Sequence, residues 1–88
     1  MFDRQGDRLF VIAAAAGAPR HPDWYFNLVA NPRVGVEIGD ESYEAIATPL
    51  AGDDRERIWT TLKEKFSFLA GYEEQVSRTI PVVELTPA

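Results

Sequence analysis

Three groups of residues in this chain have the types and spacing for chemistry. The first is His21, the single histidine, which stands before Pro22 and Asp23. A histidine titrates near neutral pH and suits general base work when a carboxylate orients it. Asp23 is near in sequence, but spacing alone does not aim it at His21. The plainer reading makes His21 a solvated residue at a helix N-cap. The second group is Ala14-Ala15-Ala16-Gly17, followed closely by Pro22, Trp24, Tyr25 and Asn27. Small side chains at a strand end let another body lie close to the backbone. That body is a packed helix or another subunit on the plain reading, and a flat aromatic ligand on the functional one. Trp24 and Tyr25 would then supply a stacking face, and Asn27 a polar handle. The third group is Tyr72 and Arg78, polar-tipped residues beside apolar runs that more often serve surfaces and interfaces.

Other chemistries are poorly served. Asp53, Asp54, Glu56 and Glu64 read as the solvated face of a helix, not as paired catalytic carboxylates. No phosphate-binding glycine motif and no serine–histidine–aspartate spacing is present. The chain has no cysteine, so it has no disulfide and no thiolate metal site, and one histidine is too few for a polyhistidine site within one chain. A formal charge of −5 with dispersed Lys and Arg argues against nucleic acid and anionic membrane as partners. The longest apolar run, Leu9 to Ala16, is far short of the ~20 residues needed to span a bilayer. It follows both acids and arginines, so it reads as a strand and not as a signal peptide. The expected compartment is the cytoplasm, with membrane association as the alternative.

These residues need elements to hold them. At 88 residues the chain is one domain. Such a chain buries roughly 60–65% of its unfolded surface, and oligomerisation is a common way to stabilise so small a core. Gly6-Asp7 marks a turn before a strand from Arg8 to Ala15. Pro22 opens a helix to Ala30, ended by Asn31-Pro32. Val34, Val36 and Ile38 alternate as a half-buried strand, and Gly39-Asp40 turns it into a return strand from Ser42 to Leu50. In that strand Tyr43, Ala45 and Ala47 share one face. Asp53 with Glu56 predicts a capped helix over about Asp54 to Lys65, with Ile58, Trp59, Leu62 and Phe66 as its apolar face. A shorter helix over about Leu69 to Val76 follows. Thr79 to Leu85 is the last strand, with Pro81 placing its start at an edge or bulge. The order β-α-β-β-α-α-β with four strands predicts an α+β fold with a mainly antiparallel sheet or open barrel.

The helix His21 to Pro32 poses a packing problem. Trp24, Tyr25 and Phe26 are adjacent, and one helix face cannot bury all three. Its signature P-x-W-Y-x-N-L-x-A-N-P follows Ala16-Gly17-Ala18 and precedes Val34 to Ile38, Glu56-Arg57-Ile58-Trp59, Tyr72 and the ending R-x-I-P-V-V of Arg78 to Val83. In this the chain resembles the deazaflavin-dependent nitroreductase and quinone reductase family over nearly its whole length. The resemblance implies a split β-barrel of the flavin-reductase type. It implies hydride transfer from a reduced 8-hydroxy-5-deazaflavin coenzyme, coenzyme F-420, to a quinone or nitro-organic acceptor, with FMN ranked behind it; a homodimer is the expected assembly for so small a core. Carried over, Ala14, Ala15, Ala16 and Gly17 lie near the deazaflavin, Pro22, Trp24 and Asn27 line its binding side, and Tyr72 faces the acceptor. Tyr25 and Phe26 then pack inward.

Departures from the family pattern shape the expectation. An upstream basic segment that resembles T-x-G-R-x-[ST]-G is not in this sequence, and Ala14 and Ala15 stand where serine and lysine are frequent. Two aromatic positions near the acceptor are Phe66 and Leu69 here. Arg20 and Arg78 are the nearest cations for an anionic coenzyme tail. The expectation is an incomplete barrel, the C-terminal portion of the family fold. Its alternatives are a non-catalytic flavin- or deazaflavin-binding or dimerising module, and a remnant whose open sheet edge pairs with another chain.

Overall fold

A computed structural model describes residues 2–14 and 20–88. The strands β1 (Phe2–Gln5), β2 (Arg8–Ile12), β3 (Arg33–Ile38), β4 (Glu41–Pro49) and β5 (Val82–Pro87) form one sheet, entirely antiparallel, in the order β1-β2-β5-β4-β3. The helices are α1 (Asp23–Ala30), α2 (Gly52–Lys65) and α3 (Phe68–Gln75). The α+β class and the antiparallel sheet are as expected from the sequence.

One strand was not expected. Residues 2–5 carry a single large apolar side chain, so alternation gives no signal there. The bare edge of β2 recruits them through a turn at Gly6, whose φ of 61° suits glycine. Asp3 anchors the added strand. It is only 5% exposed, and it accepts from Lys65 Nζ at 2.5 Å and from Gln5 Nε2 at 3.1 Å. Replacing Lys65 with methionine should therefore destabilise the fold by about 1–2 kcal/mol, because a buried carboxylate loses its cation. Urea unfolding measures this. An unchanged midpoint would mean that Asp3 is adequately solvated without Lys65.

The sheet bends. In the strand order, β5 and β4 lie between β2 and β3, which in a flat sheet would separate β2 from β3 by roughly 14 Å. Yet Leu9 of β2 and Val36 of β3 share one buried cluster with Ala45. Arg4 of β1 also reaches Glu41 of β4 at 3.5 Å. The sheet is thus curled into an open barrel, with β1 and β3 as its two edges.

Each strand has two working faces. Phe10, Ile12 and Val82 pack against Ile58, Trp59 and Leu62 of α2 and Leu69 of α3. The alternate residues Leu9, Val83 and Leu85 face the concave side, where Leu28 of α1 packs on Ala47 and Val83. The ion pairs reinforce this arrangement: Arg8 donates to Glu84 of β5 and Asp54 of α2, both at 3.0 Å, so one guanidinium ties three elements. It holds the Asp54 carboxyl below the usual carboxylate range.

Several sequence expectations need correction. Strand β2 ends at Ile12, not Ala15; Ala13 leaves the ladder but its N–H still donates to the Pro81 carbonyl at 3.0 Å. The capping pair Asp53–Glu56 does not form. The chain enters α2 through Gly52 at φ 61°, and Ala51 occupies the cap without a side-chain bond. Pro22, not His21, is the cap of α1. The last strand is central rather than at an edge. Pro81 stands just before its ladder, where a missing N–H breaks no pairing. Among the described residues, no helix is long and apolar enough to cross a membrane.

Candidate functional site

The site is built from α1 outward. Pro22 sets an extended approach, and the Tyr25 N–H bonds its carbonyl at 3.0 Å to close the first turn. Positions 24, 27, 28 and 31 then recur at helical spacing and fall on one side. Leu28 is buried and fixes the helix to the sheet. Trp24, Asn27 and Asn31 rim a groove of about 390 Å³ whose floor is Val11, Leu28, Val34 and Leu85. Among the described residues, no charged side chain lines it. Trp24 stands 39% exposed at its mouth. A flat, apolar body with hydrogen-bonding edges matches this lining, and the volume lies within the usual range for small-molecule sites.

The three adjacent aromatics are placed partly against expectation. Tyr25 packs inward beside Leu28, Ala47 and Val83, as foreseen. Phe26 does not. It is 45% exposed and lies against the rings of Tyr25 and His21, with the Arg20 guanidinium 5.8 Å from its centroid. A helix this short has one face toward the sheet, and Leu28 and Tyr25 occupy it.

A second constellation sits at the end of β2. The Arg78 guanidinium donates to the Ala13 carbonyl at 3.2 Å and to the Ala14 carbonyl at 2.9 Å. It also lies 2.8 Å from His21 Nδ1. Burial pushes the Arg78 pKa below the usual arginine value. His21 is held below its ordinary value too, first by burial and then by the Arg78 charge. So His21 is a partnered, half-buried group and not a solvated cap. Asp23 gives it no orienting carboxylate; that side chain pairs with Arg20 at 3.8 Å.

The foreseen site residues separate into two groups. Trp24 and Asn27 meet at the groove. Ala14 is buried in the cluster on the other face of the sheet, and Tyr72 packs against that same cluster and edge-on to Phe68. Tyr72 therefore does not line the groove beside Trp24. Pro22 sits at the α1 cap, next to His21, between the groups. Ala15, Ala16 and Gly17 lie outside the described residues. Asn31, a helix terminator by sequence, also belongs to the groove, because its place seven residues after Trp24 puts it on the same side. The pairing of His21 with Arg78 carried no local signal, because the two are 57 residues apart.

Comparisons with known proteins bear on the family and the fold. The sequence model of the F420H2-dependent quinone reductase family matches residues 1–87. An F420H2-dependent quinone reductase of Mycobacterium tuberculosis is 36% identical over 88 residues, covering 97% of this chain. The chain spans 59% of that relative's length. A solved structure of an F420H2-dependent reductase superposes with a TM-score of 0.86 at 35% identity, covering 97% of this chain and 75% of that one. A domain-swapped dimer superposes with a TM-score of 0.87, also at 35% identity, over 97% of this chain and 64% of that one.

Proposed function

This chain belongs to the F420H2-dependent quinone reductase family, and on that premise we propose that it binds the reduced deazaflavin coenzyme beside α1 and serves its oxidation by a quinone or nitro-organic acceptor. The observation that carries this reading is the uncharged groove with Trp24 at its mouth and two asparagine amides on its rim. When bound, the coenzyme supplies a hydride, which with one proton from solvent reduces a quinone to a hydroquinone. The protein's part is positional. Trp24 offers a stacking face, Asn27 and Asn31 offer hydrogen bonds to ring edges, and the aliphatic floor excludes water. No side chain needs to act as an acid or base in the hydride step itself. Ala15, Ala16, Gly17 and Pro22 are proposed as the shelf along the ring, whereas Ala14 and Tyr72, packed on the other face of the sheet, do not meet a ring or acceptor held in this groove. The groove gives the anionic coenzyme tail no cation, so Arg20, exposed at the approach to α1, is the proposed partner for it.

The test is a titration with oxidised coenzyme, followed by tryptophan fluorescence. Saturable quenching at micromolar coenzyme is expected, and reduced coenzyme should then be oxidised in the presence of menadione. Quenching without turnover would leave a binding module. No quenching at any concentration would remove the proposal.

A second reading, a dimerising module, is favoured by the two bare sheet edges and the exposed Phe2. One similar structure is a domain-swapped dimer. Sedimentation equilibrium should give a homodimer; a monomer at high concentration would sink that reading.

A further inference from the structure

The contact between His21 and Arg78 has a protonation state written into it. An arginine has only donors, so His21 Nδ1 must accept, and the imidazole must be neutral with its proton on Nε2. A protonated imidazole has no acceptor and would set two cations face to face. We propose that His21 and Arg78 form a proton-operated latch that fastens the approach to α1 onto the end of β2, closed when His21 is neutral and open when it is charged. Arg78 holds both sides at once: the Ala13 and Ala14 carbonyls at the strand end, and the imidazole two residues before α1. Trp24 follows His21 by three residues, so opening the latch moves the groove's mouth.

The groups around His21 agree. From its own segment, Tyr25 and Phe26 place their rings 4.9 and 5.8 Å away, and Arg20 and Asp23 pair with one another. A cavity of about 420 Å³ beside the imidazole is also lined by Tyr25, Arg55, Glu56 and Thr79, and gives it access to solvent. Of the charged side chains lining that cavity, Glu56 alone favours protonation, and it is already engaged by Arg55 at 3.0 Å. Arg78 opposes it. Burial and the Arg78 charge both lower the histidine's affinity for a proton. The unfolded chain therefore takes up the proton first. Stability from this contact is complete above the ordinary histidine value of 6.5 and is lost as pH falls below it toward the lowered folded value.

The test uses the wild-type chain and two-dimensional NMR between pH 5 and 8, with the Trp24 indole signal assigned by a Trp24→Phe variant. His21 is the single histidine, so its ring signals are unambiguous. Its midpoint should lie below 6.5, and the Trp24 indole and the backbone signals near Ala14 should shift with the same midpoint. His21→Gln, which keeps an acceptor but cannot titrate, should abolish that step. Arg78→Met should raise the histidine midpoint and uncouple Trp24 from it, which keeps the idea testable if His21→Gln fails to fold. A Trp24 signal that stays flat through the His21 titration would overturn the latch. So would a step that survives in His21→Gln.

Discussion

Replacing Trp59 with alanine should remove a large share of the domain's stability and lower its urea midpoint sharply. Trp59 is 1% exposed, in the cluster where α2 and α3 meet the convex face of the sheet. Its loss removes the largest fully buried side chain and opens a cavity among Phe10, Ile12, Leu62 and Leu69. Truncations of this kind cost about 3–5 kcal/mol. A domain of this length has only about 4–13 kcal/mol in total. The indole is also the link to α3. Its Nε1–H donates to Glu73, which Lys63 holds at 3.0 Å on the other oxygen. Arg55 lies 5.0 Å from the ring centroid and Lys63 5.7 Å, so cations flank the ring as well. Trp59→Phe separates the two contributions. It keeps a ring in the core but leaves Glu73 with Lys63 alone, for a loss of about 1–3 kcal/mol. Urea denaturation followed by circular dichroism measures both. If Trp59→Ala unfolds within about 1 kcal/mol of wild type, the convex cluster is not the stability centre.

The contrast between Trp59 and Trp24 shows what the sequence could and could not say. Ile58, Trp59, Leu62 and Phe66 recur at helical spacing, and amphipathic spacing is a local quantity, so the face of α2 was legible. The β3–β4 hairpin was legible for the same reason, through Gly39 and the alternation of Val34, Val36 and Ile38. Strand β1 was not, because it exists only by pairing with β2 and by the Lys65 contact, both of which depend on the finished fold. The place of β5 at the centre of the sheet is likewise a consequence of topology. Its leading Pro81 suggested an edge or a bulge because the ladder's true start, one residue later, could not be seen. The site follows the same division. The family resemblance selected Trp24 and Asn27, and they do share a groove. It also selected Tyr72 as an acceptor contact, and the fold sets that residue on the face of the sheet opposite the groove. Arg78 was noted as polar-tipped beside an apolar run, and only the folded chain gives it His21 and two carbonyls to hold.

That division makes Trp24→Ala the most informative change at the site. The expected result is coenzyme binding weakened about 10- to 100-fold, with the fold intact. Stacking of a flat ring on an aromatic side chain is worth about 1–3 kcal/mol when measured by alanine replacement. Trp24 is 39% exposed and belongs to none of the buried clusters, so little stability goes with it. Trp24→Phe keeps an aromatic face and should lose only a few-fold. Asn27→Ala should also lose a few-fold, the effect of one neutral hydrogen bond of about 0.5–1.5 kcal/mol. Because the mutation removes the protein's own reporter, the titration should follow the coenzyme's absorbance or fluorescence. Tyr72→Ala supplies the contrast from the other face of the sheet. If the ring lies in the groove, Tyr72→Ala leaves coenzyme affinity unchanged. If instead Tyr72→Ala weakens the coenzyme while Trp24→Ala does not, the ring lies over the buried Ala14 end of β2. The groove beside α1 would then be an apolar surface waiting for another segment of protein.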